Sequence, residues 1–77
     1  MLQLANKDFE DFTVSEMREI IAETILTDEN KQIAELRYIK LLSYEQIAEK
    51  VLIDKRTVQS RIKSINAKLN NTINKRK

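Results

Sequence analysis

The sequence predicts an all-α fold of four short helices, and three observations predict it. Glycine and proline are both absent from the 77 residues, and hairpin turns or long irregular loops ordinarily need one or the other. Apolar residues recur at three- and four-residue spacing, the period of a helix with one buried face. Each periodic stretch follows a Thr, Ser or Asp, whose short side chains accept from the free N–H groups of a first helical turn. A chain of this length buries only about 60% of its unfolded surface, so one small core is the ceiling.

The elements follow in order. Residues 1–12, "MLQLANKDFEDF", carry Leu2, Leu4, Phe9 and Phe12 without a period and read as an N-terminal arm to which the pattern assigns no order. Thr13 opens T-x-x-E with Glu16, a capping box. Val14, Met17, Ile20, Ile21 and Ile25 follow at helical spacing, which predicts a first helix over about 14–26. Thr27 caps a second, with Asp28 and Glu29 in its first turn, where the helix dipole favours negative charge. Ile33, Ala34, Leu36, Tyr38 and Ile39 give that helix a buried side up to Lys40. Ser43 and Gln46 form another capping box, and Ile47, Ala48 and Val51 face inward on a third helix. Asp54 caps the fourth, which is expected to end near Leu69. Residues 70–77, "NNTINKRK", have little to bury and read as a frayed basic tail. The folded domain is thus expected over 13–69.

The composition narrows the chemistry. With no cysteine and no histidine, the chain has neither disulfides nor thiolate sites, and it lacks the usual general base and the commonest metal ligand. Glu45 and Glu49 share a helix face, but without a partnering base or a glycine-rich phosphate loop they read as solvated surface. The expectation is no enzyme, no catalytic residue, no metal and no cofactor. No apolar run approaches the roughly 20 residues of a membrane span, and the start lacks a signal-peptide pattern. A cytoplasmic protein with no membrane partner is expected.

Charge is distributed unevenly. Residues 1–30 carry two basic and eight acidic side chains, a net −6, whereas residues 31–77 carry twelve basic and four acidic, a net +8. From Lys55 onward there are eight basic residues and no acid, which points to a polyanionic partner. On a helical wheel, Ile62, Ile65 and Leu69 fall within roughly 40° of Val58 as an apolar stripe. Arg56, Ser60, Lys63 and Ala67 lie opposite, flanked by Thr57, Gln59 and Ser64. Long donors at the start and small polar residues in the middle suit close approach to base edges. The joint Val51-Leu52-Ile53 is apolar where a loop is ordinarily polar, as expected of a buried turn fixing two helices at an angle. Ala48 is small enough for those helices to cross closely. The pair reads as a helix-turn-helix, so the expected architecture is a small four-helix domain containing one, with its second helix directed at a major groove.

The stretch Leu26 to Leu69, "LTDENKQIAELRYIKLLSYEQIAEKVLIDKRTVQSRIKSINAKL", resembles the region 4 helix-turn-helix of bacterial sigma-70-type factors, above all the extracytoplasmic-function group. The "LT" start followed by acids, "LRY", "LSYEQIAEK" and "TVQSRIK" carry the likeness. The LuxR/GerE type of DNA-binding domain shares nearly the same pattern, and "TVQSRIKSINAKL" suits it as well. "LRY" with Arg61, and the short Asn- and Lys-rich stretch after Leu69, favour the sigma-like reading. Both families usually place glycine before the first capping serine and at the inter-helix turn. Here Leu41 or Leu42, and Leu52, stand at those positions, where a leucine at positive φ costs on the order of 1 kcal/mol or more. The chain is too short to include a sigma factor's promoter-melting segment, so the resemblance implies a free-standing region 4, as in small regulators of phages and mobile elements.

The resemblance and the wheel together assign base reading to Lys55, Arg56, Gln59, Ser60 and Lys63. Phosphate contact is assigned to Ser43, Tyr44, Thr57, Arg61, Lys68, Lys75, Arg76 and Lys77. Arg37 reads as the partner of a neighbouring acid. The expected function is a sequence-specific double-stranded DNA-binding transcriptional regulator. The alternative is a protein-interaction module that binds RNA polymerase or a sigma or anti-sigma partner, a role the resemblance also implies. A homodimer through residues 14–26 would place two reading helices about one DNA turn apart.

Overall fold

The structure, a computed structural model, describes residues 12–76. The N-terminal arm up to residue 11 and Lys77 lie outside the described residues. Four helices follow one another without a strand among the described residues: α1 (Val14–Glu23), α2 (Asp28–Ala34), α3 (Tyr44–Val51) and α4 (Lys55–Arg76). A π-helical stretch, Glu35–Ile39, extends α2. The all-α expectation holds.

The helix starts form for the local reasons their residues supply. Thr13 Oγ1 accepts from the Glu16 amide at 3.1 Å, while Glu16 Oε1 accepts from the Thr13 amide at 2.8 Å. Ser43 and Gln46 repeat that exchange at 3.2 and 2.9 Å. Thr27 Oγ1 accepts from the Asn30 amide, and Asp54 Oδ2 from the Arg56 amide at 3.3 Å. Each cap satisfies donors that an unstarted helix leaves open.

The core draws on all four helices. Met17, Ile20 and Ile21 of α1 meet Ile33, Ala34, Leu36 and Tyr38 of α2 and its extension, Ile47 of α3, and Val58, Ile62, Ile65 and Leu69 of α4. Helix α4 packs against α1, α2 and α3, so it is the spine on which the others are arranged. Fully burying an Ile or Val is worth about 1.5–3 kcal/mol relative to leaving it exposed, which makes the α4 stripe the main determinant of this arrangement.

Four expectations need correction. Helix α1 ends at Glu23 rather than 26, because the Thr24 hydroxyl turns back onto the Ile20 carbonyl at 2.7 Å and the backbone becomes extended. Ile25 is in consequence 91% exposed, and Val14 at the helix start is 53% exposed; neither joins the core. The inter-helix joint is buried only in part. Val51 and Ile53 pack against the core, but Leu52 between them points outward, 87% exposed. Arg37 Nη1 donates to the Leu42 carbonyl at 2.8 Å, and its guanidinium lies 4.2 Å from the centre of the Tyr44 ring. The fourth helix does not stop at Leu69 but continues to Arg76, so the expected frayed tail is helical as far as it is described.

Both leucine turns adopt the left-handed backbone, with φ 58° at Leu41 and at Leu52. At Leu52 the Ile53 amide donates back to the Ala48 carbonyl at 3.2 Å, closing a Schellman-type helix end. At Leu41 the Leu42 amide reaches the Leu36 carbonyl at 3.0 Å, one residue further back, because the π-helical turn before it is wider. Arg37 clasps that second turn from outside, bonding its carbonyl and covering the aromatic ring that follows.

Candidate nucleic-acid interface

Helix α4 presents two faces of opposite character. Val58, Ile62, Ile65 and Leu69 are buried to within 3% of complete. Lys55, Arg56, Gln59, Ser60, Lys63, Ser64 and Ala67 are all exposed. The five residues assigned to base reading therefore share one open surface along the first half of the helix. No acid lies anywhere in α4, so no carboxylate on the helix itself screens that surface.

Two acids border it: Asp54, whose Oδ2 caps the helix by accepting from the Arg56 amide, and Glu45 of α3, whose Oε1 lies 3.9 Å from Lys55 Nζ. The Lys55 and Glu45 side chains are both more than half exposed, and an ion pair this long and this wet is worth at most about 1 kcal/mol. It does not hold Lys55 back from a stronger anion.

The residues assigned to phosphate divide. Lys68 and Lys75 are exposed on the flank of α4 and line a groove of about 530 Å³ with Ile25, Asn71 and Thr72. No carboxylate among the described residues pairs with either lysine. Arg61 and Arg76 are engaged internally. Arg61 Nη1 forms a short ion pair with Glu29 Oε1 and donates to Asn30 Oδ1 at 3.1 Å. Arg76 Nη2 reaches Glu19 Oε1 at 3.2 Å and its Nε lies 3.8 Å from Glu23 Oε1. Ser43 spends its hydroxyl within its own capping box, and Tyr44 is half-buried beneath Arg37. Thr57 is half-buried in the first turn of α4. Lys77 lies outside the described residues.

Several functional contributions escaped the sequence. Glu29 reads locally as a helix-dipole residue, and its partner thirty-two positions later carries no spacing signal. Thr24 and Thr72 place their hydroxyl oxygens 2.5 Å apart between α1 and α4, a contact between a threonine that reads as part of the first helix and one that reads as part of the tail. Among the described residues no group of three or more carboxylates could hold a metal ion. No described helix is long and apolar enough to cross a membrane.

The fold and the surface together define a small four-helix protein with one exposed, acid-free cationic helix face. The chain matches no family model, no curated protein and no solved structure. The resemblance to sigma region 4 and LuxR-type domains therefore rests on the residues of Leu26–Leu69 themselves.

Proposed function

We propose that this chain is a sequence-specific double-stranded DNA-binding protein of the helix-turn-helix kind, resembling a free-standing sigma region 4 and acting as a transcriptional regulator. The observation that carries the reading is the α4 surface. A helix anchored by a fully buried stripe turns Arg56, Gln59, Ser60 and Lys63 outward together, with no acid on the helix. Arg and Lys can donate to guanine O6 and N7, and Gln can bond adenine N6 and N7, each worth about 1–3 kcal/mol of discrimination. Lys68 and Lys75, about a third of a turn away around the helix, would meet phosphate and add affinity without sequence information.

Binding-site selection from random duplexes tests this. The selected site is expected to be preferred over a scrambled duplex of equal composition, and a palindrome would support a dimer through residues 14–26. Arg56→Ala should lose roughly tenfold in that preference, the equivalent of about 1.4 kcal/mol. Lys75→Ala should weaken both duplexes equally. A protein that binds no duplex at low salt overturns the reading.

The second reading, a module that docks on RNA polymerase or a sigma or anti-sigma protein, draws support from Ile25. It stands 91% exposed in a groove that Lys68, Lys75 and Arg76 line together with Glu23. Retention of RNA polymerase on the immobilised chain, lost in Ile25→Asp while DNA binding persists, would favour it.

A further inference from the structure

Two cations of α4 are each held by a pair of groups on another helix, Arg76 by Glu19 and Glu23 near the end and Arg61 by Glu29 and Asn30 in the first half. Glu29 and Asn30 belong to the first turn of α2, and both accept from Arg61 Nη1. The arginine and the glutamate side chains are only 36% and 44% exposed, so this contact is better shielded from water than the Lys55–Glu45 pair. Arg61 lies at the same level of the helix as Ser60 and Lys63, but at the edge of the apolar stripe rather than on the exposed face that carries the residues assigned to base reading. Its stem leaves α4 on the flank that faces α2, and α2 and α4 pack directly on one another.

We infer that Arg61 is a positioning residue that sets the rotation of α4 about its own axis, with Glu29 and Asn30 as its fixed point. The inference rests on the DNA-binding reading and deepens it. The apolar stripe alone leaves that rotation loosely determined, because an Ile or Val packs acceptably over a range of angles. A guanidinium held by a carboxylate and an amide does not slide. Since a reading side chain must reach its base edge to within a fraction of an ångström, a small rotation of α4 costs selectivity before it costs stability. Arg61 is then withheld from phosphate, and Glu29, an acid close to a DNA-binding surface, raises selectivity rather than opposing the polyanion.

The two roles predict opposite results. In the full chain, Arg61→Met and Glu29→Gln are each expected to reduce the preference for the selected duplex over the scrambled one by about fivefold. Combining them should do no more harm than Arg61→Met alone. The slope of log Kd against log salt should stay at the wild-type value in Arg61→Met. Arg61→Lys, which keeps the charge but not the reach that sets Nη1 between Glu29 and Asn30, should behave like Arg61→Met. If Arg61 instead meets phosphate, Arg61→Met flattens the slope by about 0.9 and leaves the preference intact, Arg61→Lys rescues it, and Glu29→Gln tightens both duplexes; that pattern overturns the inference. Unchanged preference in Glu29→Gln overturns it as well, and this near-isosteric change at a half-exposed site does not threaten the fold. A wild-type protein that holds both duplexes alike overturns the DNA-binding reading, and the inference falls with it. Wild-type selectivity with unaffected variants overturns the inference alone.

Discussion

A leucine in the left-handed region brings its Cβ against the following carbonyl oxygen, at a cost of about 1–2 kcal/mol. Leu41 and Leu52 both stand there, in a chain that contains no glycine at all. At Leu52 no burial offsets the strain, since the side chain is 87% exposed. Leu52→Gly should therefore stabilise the fold by about 0.5–1 kcal/mol after the added entropy of the unfolded chain is subtracted, read as a higher urea midpoint with an unchanged m-value. A lower midpoint would mean that the leucine side chain contributes packing that its exposure conceals. The positions of these turns were legible, because the resemblance places glycine at Leu52 and at Leu41 or Leu42. The outward direction of Leu52 was not, because an apolar triplet such as Val51-Leu52-Ile53 reads as uniformly buried until the turn geometry is known. Arg61 was illegible for a different reason: the partner that removes it from solvent lies on another helix, and local spacing carries no record of such a contact.

The helices were legible where one face is apolar and a capping residue precedes it, as at Thr13, Thr27, Ser43 and Asp54. The end of α4 lacks such a face. Continuing the wheel past Leu69 brings Thr72, Ile73 and Arg76 onto the buried side, and two of those three are polar, so the pattern stops while the helix goes on. What holds the last two turns is a hydroxyl pair with Thr24, the half-buried Ile73, and the Arg76 contacts to Glu19 and Glu23. These ties make a prediction that separates a helix from a frayed tail. Ending the chain after Leu69 should destabilise it by about 2 kcal/mol, from partial burial of Ile73 at about 1 kcal/mol and the lost hydroxyl contact at about 1 kcal/mol. Thermal or urea unfolding measures it directly, and an unchanged midpoint would show that residues 70–77 are not packed. In the centre of the same helix, Ile65→Ala should cost about 2–4 kcal/mol, because that side chain is completely buried and its neighbours come from several helices.

Charge separation along the chain acquires a physical consequence once α1 and α2 pack against α4. Acids of α1 and α2 take up Arg76 and Arg61 of α4, so part of the −6 of residues 1–30 is spent neutralising part of the +8 that follows. Lys55, Arg56, Lys63, Lys68 and Lys75 remain directed at solvent on α4. If these five cations, at base edges and backbone together, neutralise four phosphate charges, log affinity for duplex DNA should fall with log salt at a slope of about −3.6. Between 50 and 200 mM KCl the complex should then weaken about a hundredfold, measured by fluorescence anisotropy on the selected duplex. Lys75→Ala should reduce the slope by about 0.9 without altering the preference for that duplex. The acidic half works against this field at long range, so its effect is largest at low ionic strength, where the Debye length of about 30 Å at 0.01 M approaches the size of the domain. A slope near zero would leave the cationic face without a polyanion to neutralise, and the arrangement of α4 would have to be explained by a protein partner instead.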